Sequence, residues 1–131
     1  FLNITQKYPD SDKAFSGLGI AYKNNNNIPK AMDAFTKALK LNIENKIAMH
    51  SLLDLSYQRS EFYHIEIAMK RYLESYPDNV DILFGLAGIQ YKSNHFEDAH
   101  STLSLLLELS PNHNDANNMI RKIDVKREKV C

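Results

Sequence analysis

Asp12–Asn45 reads DKAFSGLGIAYKNNNNIPKAMDAFTKALKLNIEN, and these 34 residues decide the fold. Ala14, Leu18, Ala21 and Tyr22 recur every three to four residues, the spacing of one helix face. Ala31, Ala34, Phe35, Ala38 and Leu39 repeat that spacing. Between the two runs lies Asn24–Asn27. Short amide side chains compete for backbone hydrogen bonds, so they favour turns and caps over a helix interior. The stretch predicts two antiparallel helices of roughly 12 and 14 residues joined by a short turn.

Moving outward, the same pattern returns at a fixed step. Pro77 to Pro111 is 34 residues and Pro9 to Pro77 is twice that, with Ile43 in the vacant slot. Leu18, Leu52 and Leu86 align at this step, as do Leu39, Leu73 and Leu107. Ala31, Ile65 and Ala99 form a further column, beside Ile28, Phe62 and Phe96, and Phe35, Met69 and Leu103. Ala14, Ala48, Ile82 and Ala116 carry the series into the tail. A period of this length is the signature of a repeat architecture. Asn79 is placed to cap the helix after it, and Asn94 with Glu97 has capping-box spacing. Pro77 and Pro111 stop the second helix of their units, since proline cannot continue the backbone ladder. The units predicted are Asp12–Asn45, Lys46–Asn79 and Val80–His113. Asn114–Cys131 follows as a helix that is apolar at Ala116, Met119, Ile120 and Ile123 and polar at Lys126–Lys129, as a capping helix must be. Phe1–Asp10 fits the end of a truncated upstream helix, with Phe1, Ile4 and Pro9 in register, and implies a parent protein that continues upstream.

These residues resemble the tetratricopeptide repeat family. Phe15 stands at the motif's bulky aromatic, Leu18-Gly19 at its Leu-Gly pair and Tyr22 at its tyrosine. Ala31, Phe35 and Ala38 match the second helix, with Ile43 in place of the closing proline. The third unit keeps Leu86-Ala87, Phe96, Ala99 and Pro111. The middle unit diverges, because Leu53, Ile65 and Tyr72 occupy columns where the family has small residues. The resemblance implies an all-α fold: a right-handed superhelical solenoid of antiparallel helix pairs, three repeats and a C-terminal capping helix. It further implies a concave groove that accepts a peptide or a partner helix.

Helical phase nominates the groove residues. They are Lys13, Ser16, Ile20, Lys23 and Asn24 in the first unit, and Ile47, His50, Asp54, Tyr57 and Gln58 in the second. Asp81, Phe84, Gly88, Tyr91 and Lys92 follow in the third, and Asn118, Lys122 and Lys126 continue the stripe. Tyr57, Phe84 and Tyr91 are the expected hot spots, since aromatic rings supply large contact area at low entropy cost. Gly88 reads either as a side-chain-free notch between two rings or, like Gly85, as a concession to helix packing. One subtype of the family grips the terminal carboxylates of heat-shock chaperones with Lys and Asn side chains. The columns concerned here hold Ser16, Ile20, Ser51, Asp81 and Gly85, which cannot supply that clamp.

The remaining composition mostly excludes. The chain has 131 residues, 16 basic against 16 acidic, and a net charge of +0. Charge is uneven along it: +2 over Asp12–Asn45, −1 over Lys46–Asn79, −3 over Val80–His113 and +2 over Asn114–Cys131. The balance argues against a nucleic-acid footprint, and the basic tail is interrupted by Asp124 and Glu128, as a solubilising cap would be. No apolar run reaches the ~20 residues of a membrane span. The single cysteine, Cys131, excludes an internal disulfide and a cysteine zinc site. His95 and His100 are five apart, which splays them on a helix. Gly17-Leu-Gly19 lacks the third glycine of a dinucleotide loop, and no nucleophile elbow is present. Asn3-Ile4-Thr5 fits a glycosylation sequon, but Ile4 belongs to an apolar column. The expectation is a cytoplasmic, non-catalytic protein–protein interaction scaffold without cofactor or metal. Its partner is another protein or peptide, and it is expected to self-associate through its open N-terminal end. The alternatives are a docking domain of a larger enzyme or a self-assembly module.

Overall fold

The computed structural model describes residues 11–130. The upstream helix end at Phe1–Asp10, the sequon and Cys131 lie outside the described residues. Seven α-helices and no strand are found among those residues: α1 (Asp12–Asn24), α2 (Ile28–Leu41), α3 (Lys46–Arg59), α4 (Tyr63–Ser75), α5 (Val80–Lys92), α6 (Phe96–Leu109) and α7 (Asn114–Val130). The all-α expectation holds. The first pair measures 13 and 14 residues, and α4 and α6 end shortly before Pro77 and Pro111. No described helix is long and apolar enough to cross a membrane.

Two columns of the 34-residue repeat set the helix ends. Ser11, Asn45, Asn79 and His113 stand at the heads of α1, α3, α5 and α7. Each accepts a hydrogen bond from the backbone N–H three residues on. The bonds are Ala14 N–H to Ser11 Oγ at 3.1 Å, Ala48 to Asn45 Oδ1 at 2.9 Å, Ile82 to Asn79 Oδ1 at 3.0 Å and Ala116 to His113 Nδ1 at 3.0 Å. Each satisfies a donor that the first turn leaves without a helical partner. The second column is Asn26, Ser60 and Asn94, at φ 63°, 54° and 63°. A left-handed residue there turns the chain back. It lets the next N–H close on a carbonyl five residues earlier, Asn27 to Tyr22 at 2.8 Å and His95 to Gln90 at 2.8 Å. This corrects the capping box expected at Asn94: that residue is spent on the left-handed turn, which asparagine tolerates, and the N-cap position falls on His95.

The chain divides into two compact units, with the boundary between Tyr72 and Leu73 inside α4. In the first, α1 and α2 lie against each other and α3 packs on α2. Gly19 permits the closeness of α1 and α2, because a Cβ there would sit 2.7 Å from the fully buried Phe35 ring. The backbones of α3 and α4 do not come this close. Where the first pair has Gly19, Ala31 and Ala38, this pair has Leu53, Ile65 and Tyr72, and side-chain bulk holds the axes apart. Arg71 on α4 donates through Nη1 to the Leu39 carbonyl at the end of α2, at 3.4 Å, a cation on carbonyls that lack helical partners.

In the second unit, α5, α6 and α7 share one core of Leu83, Ala87, Ala99, Leu103, Leu106, Ala116 and Ile123. One polar bond crosses it: buried Thr102 donates to Gln90 Oε1 at 2.7 Å. Burying a leucine or phenylalanine side chain is worth about 1.5–3 kcal/mol, so these apolar columns supply the main drive for pairing.

Candidate interaction surface

In the first unit the N-terminal turns of α1 and α3 and the loop between α2 and α3 enclose an open cavity of about 600 Å3. Lys13, Ser16 and Ile20 line it, together with Asp12, Gly17, Asn42, Glu44, Asn45, Lys46 and Ile47. Ile20 and Ile47 are large apolar residues left 38% and 59% exposed. Ser16, nominated for the groove, is buried instead, and its hydroxyl accepts from Asn45 Nδ2 at 2.9 Å. The same Nδ2 donates to Asp12 Oδ2 at 2.8 Å, and Asn42 Nδ2 donates to that oxygen at 3.2 Å.

The other nominated residues of this unit lie outside the cavity. Lys23 and Asn24 are exposed at the end of α1. His50 and Asp54 face each other one turn apart on α3, with Nδ1 and Oδ2 3.6 Å apart and both side chains exposed. Gln58 is exposed near the end of α3. Tyr57, also exposed, meets Phe62 edge-on at 5.4 Å. Partial burial pushes its phenol above the ordinary tyrosine value.

In the second unit the nominated aromatics are half-buried. Phe84 packs on the core and stacks at a tilt on His113, with ring centroids 5.1 Å apart. Tyr91 meets Phe96 edge-on at 5.6 Å, and Lys126 of α7 lies over both rings at 5.6 and 5.5 Å. Arg127 pairs with Glu97 at 2.9 Å and His100 with Asp124 at 3.5 Å. Two cations of the basic tail are therefore engaged within this unit. Gly88 is half-buried, Asp81 and Lys92 are exposed at the two ends of α5, and Asn118 and Lys122 are exposed on α7.

Helical phase left out Asp12, Gly17 and Lys46, and it could not reach Asn42, Glu44 and Asn45, since a loop has no phase to read. The available signal was Asn42 and Asn45 around Ile43, in the slot where other units carry proline.

Sequence profiles of the tetratricopeptide repeat match residues 12–45 and 68–123, more than half of the chain together. No curated protein matches by sequence. Among solved structures, the chain is similar to YrrB, a TPR protein with an unusual peptide-binding site. The TM-score is 0.71 and the identity 19%, over 95% of this chain and 64% of that one. It is also similar to the first TPR of Spaghetti (RPAP3) bound to the HSP90 peptide SRMEEVD. There the TM-score is 0.65 and the identity 18%, over 90% of this chain and 94% of that one. The Naa15/Naa10 complex bound to HypK-THB gives a TM-score of 0.77 at 20% identity, over 95% of this chain and 20% of that one. Identities this low compare folds.

Proposed function

Because the chain belongs to the tetratricopeptide repeat family, we propose that it is a non-catalytic protein-interaction scaffold. Its first helices take up a peptide or a partner helix. In this reading Asp12–Asn45, Lys46–Asn79 and Val80–His113 are three repeats, and Asn114–Cys131 is a capping segment. The observation that carries it is the face of α1 and α3, where Ile20, Ile47 and Tyr57 stay exposed, two of them around one cavity. Large apolar side chains held in water beside a concavity are what a partner buries. YrrB is described with a peptide-binding site and RPAP3 with a bound peptide, which supports the same class of role.

The test compares proteins retained from cell extract by the intact chain, by Ile47→Asp and by Leu105→Asp, the last on an exposed position of α6. Retention lost with Ile47→Asp and kept with Leu105→Asp supports the scaffold reading. Retention indifferent to Ile47→Asp moves the binding surface off this face, and an intact chain that retains no protein removes the scaffold reading.

A further inference from the structure

Of the four residues that head α1, α3, α5 and α7, only His113 can change charge near neutral pH. Ser11, Asn45 and Asn79 accept their capping bonds through oxygens that do not titrate between about pH 5 and 8, whereas an imidazole does. The Ala116 N–H reaches His113 Nδ1 at 3.0 Å. A nitrogen that accepts must carry a lone pair, so the ring that caps α7 is neutral with its proton on Nε2. Protonation puts a hydrogen on Nδ1 against that N–H and ends the bond. It also sets a positive charge at the N-terminus of α7, where the helix dipole is itself positive.

The surroundings of the ring do not neutralise such a charge. Asp115 in the first turn of α7, Asp81 one turn before Phe84 on α5 and Glu108 near the end of α6 are all exposed. None of them pairs with His113 among the described residues. Phe84 faces the ring at 5.1 Å and 39°, and an aromatic face attracts a cation, which returns part of the loss. A second titrating contact on α7 pulls the other way. His100 Nε2 lies 3.5 Å from Asp124 Oδ1, toward the far end of the helix, and that pair gains when the imidazole is charged. Arg127 holds Glu97 there at 2.9 Å, and Lys126 lies over Tyr91 and Phe96.

We propose that His113 is a proton-sensitive latch that holds the first turns of α7 on the second unit at neutral pH and releases them in mild acid. The sign follows from the bond. The folded form uses the neutral ring, so the stability that the cap lends is full above the imidazole range and is lost as the pH falls through it. Losing a cap is worth about fivefold in the opening equilibrium. A cation at the helix N-terminus adds about two- to fivefold, and the Phe84 face returns about as much. The net expectation is about fivefold. Ala116 belongs to the core shared by α5, α6 and α7, so release of the head uncovers apolar surface.

The test is hydrogen exchange of the full chain at about pH 7.5 and about pH 5, a span that ordinary carboxylates cross largely charged. Rates are expressed as protection factors, so that the intrinsic pH dependence of exchange cancels. Protection of the amides from Asn117 to Ile120 should fall about fivefold in acid, and that of α5 and α6 by less than twofold. His113→Asn supplies the acceptor that Asn45 and Asn79 use, and it should abolish the fall. His113→Ser, the cap of α1, is a second acceptor that does not titrate and should do the same. His100→Gln should leave the fall in place. A fall that persists in both His113 variants, or that vanishes in His100→Gln, overturns the latch. So does a parent whose protection is unchanged in acid, or one that loses it equally across α5, α6 and α7.

Discussion

At the scale of single residues, Gly19 sets two effects against each other. Alanine is favoured over glycine in a helix interior by about 1 kcal/mol. A methyl group at Gly19 meets the Phe35 ring at 2.7–2.9 Å, and that ring is fully buried. Overpacking a filled core costs about 1–3 kcal/mol, so Gly19→Ala is expected to destabilise despite its better propensity. A lower urea midpoint with unchanged m would show it; a higher midpoint would mean that Phe35 yields. Ser56 presents the opposite case. Its Oγ is buried and has no hydrogen-bond partner among the described residues. Leaving a hydroxyl dry and unpaired costs about 1–3 kcal/mol, and alanine removes that cost while retaining the Cβ. Ser56→Ala should therefore raise stability by about 1 kcal/mol in the same titration, whereas a loss would show that a bond to Ser56 had been removed.

At the scale of elements, the 34-residue period is written twice, in the apolar columns and at the helix ends. The apolar columns were plain in the sequence because burial repeats the same residue class. The N-cap column was plain only at Asn79, since Ser11, Asn45, Asn79 and His113 share an acceptor and little else. Asn94 misled because asparagine serves equally as a cap and as a left-handed turn residue, and the sequence does not say which bond its amide makes. The caps also differ in what they carry. Ser11 Oγ accepts one bond, whereas Asn45 caps α3 and ties Asp12 and Ser16 to it. Removing a cap costs about 1 kcal/mol, and each further lost hydrogen bond about 1 kcal/mol. Asn45→Ala is thus expected to cost about 2–3 kcal/mol and Ser11→Ala about 1 kcal/mol by denaturant unfolding. Equal costs would mean that the Asn45 side bonds add nothing. Asn45→Asp sharpens the comparison: it keeps the cap acceptor and sets a second carboxylate beside Asp12, so it should recover only part of the loss.

At the scale of the whole molecule, the sequence conveyed the order of helices better than the use of their surfaces. Fold class followed from periodicity, which is local. The engagement of Tyr91 by Lys126, 35 residues on, or of Ser16 by Asn45, 29 residues on, depends on how a pair folds back, and no window of one helix contains it. Some nominated groove residues were therefore already occupied, and the loop that completes the cavity went unseen. The same local construction governs stability. In a stacked-repeat chain each unit contacts only its neighbours, so stability is a sum of local terms and a lesion is felt mainly near its own position. Leu103 is fully buried in the core shared by α5, α6 and α7, and Leu103→Ala should cost about 2–5 kcal/mol there. Every 1.4 kcal/mol is about tenfold in an opening equilibrium. Native-state hydrogen exchange of Leu103→Ala should accordingly run more than tenfold faster for amides of α5, α6 and α7, while those of α1 and α2 stay within a few-fold of the parent. If acceleration is instead equal from α1 to α7, the chain opens as one cooperative body, and treating it as a sum of neighbouring terms fails.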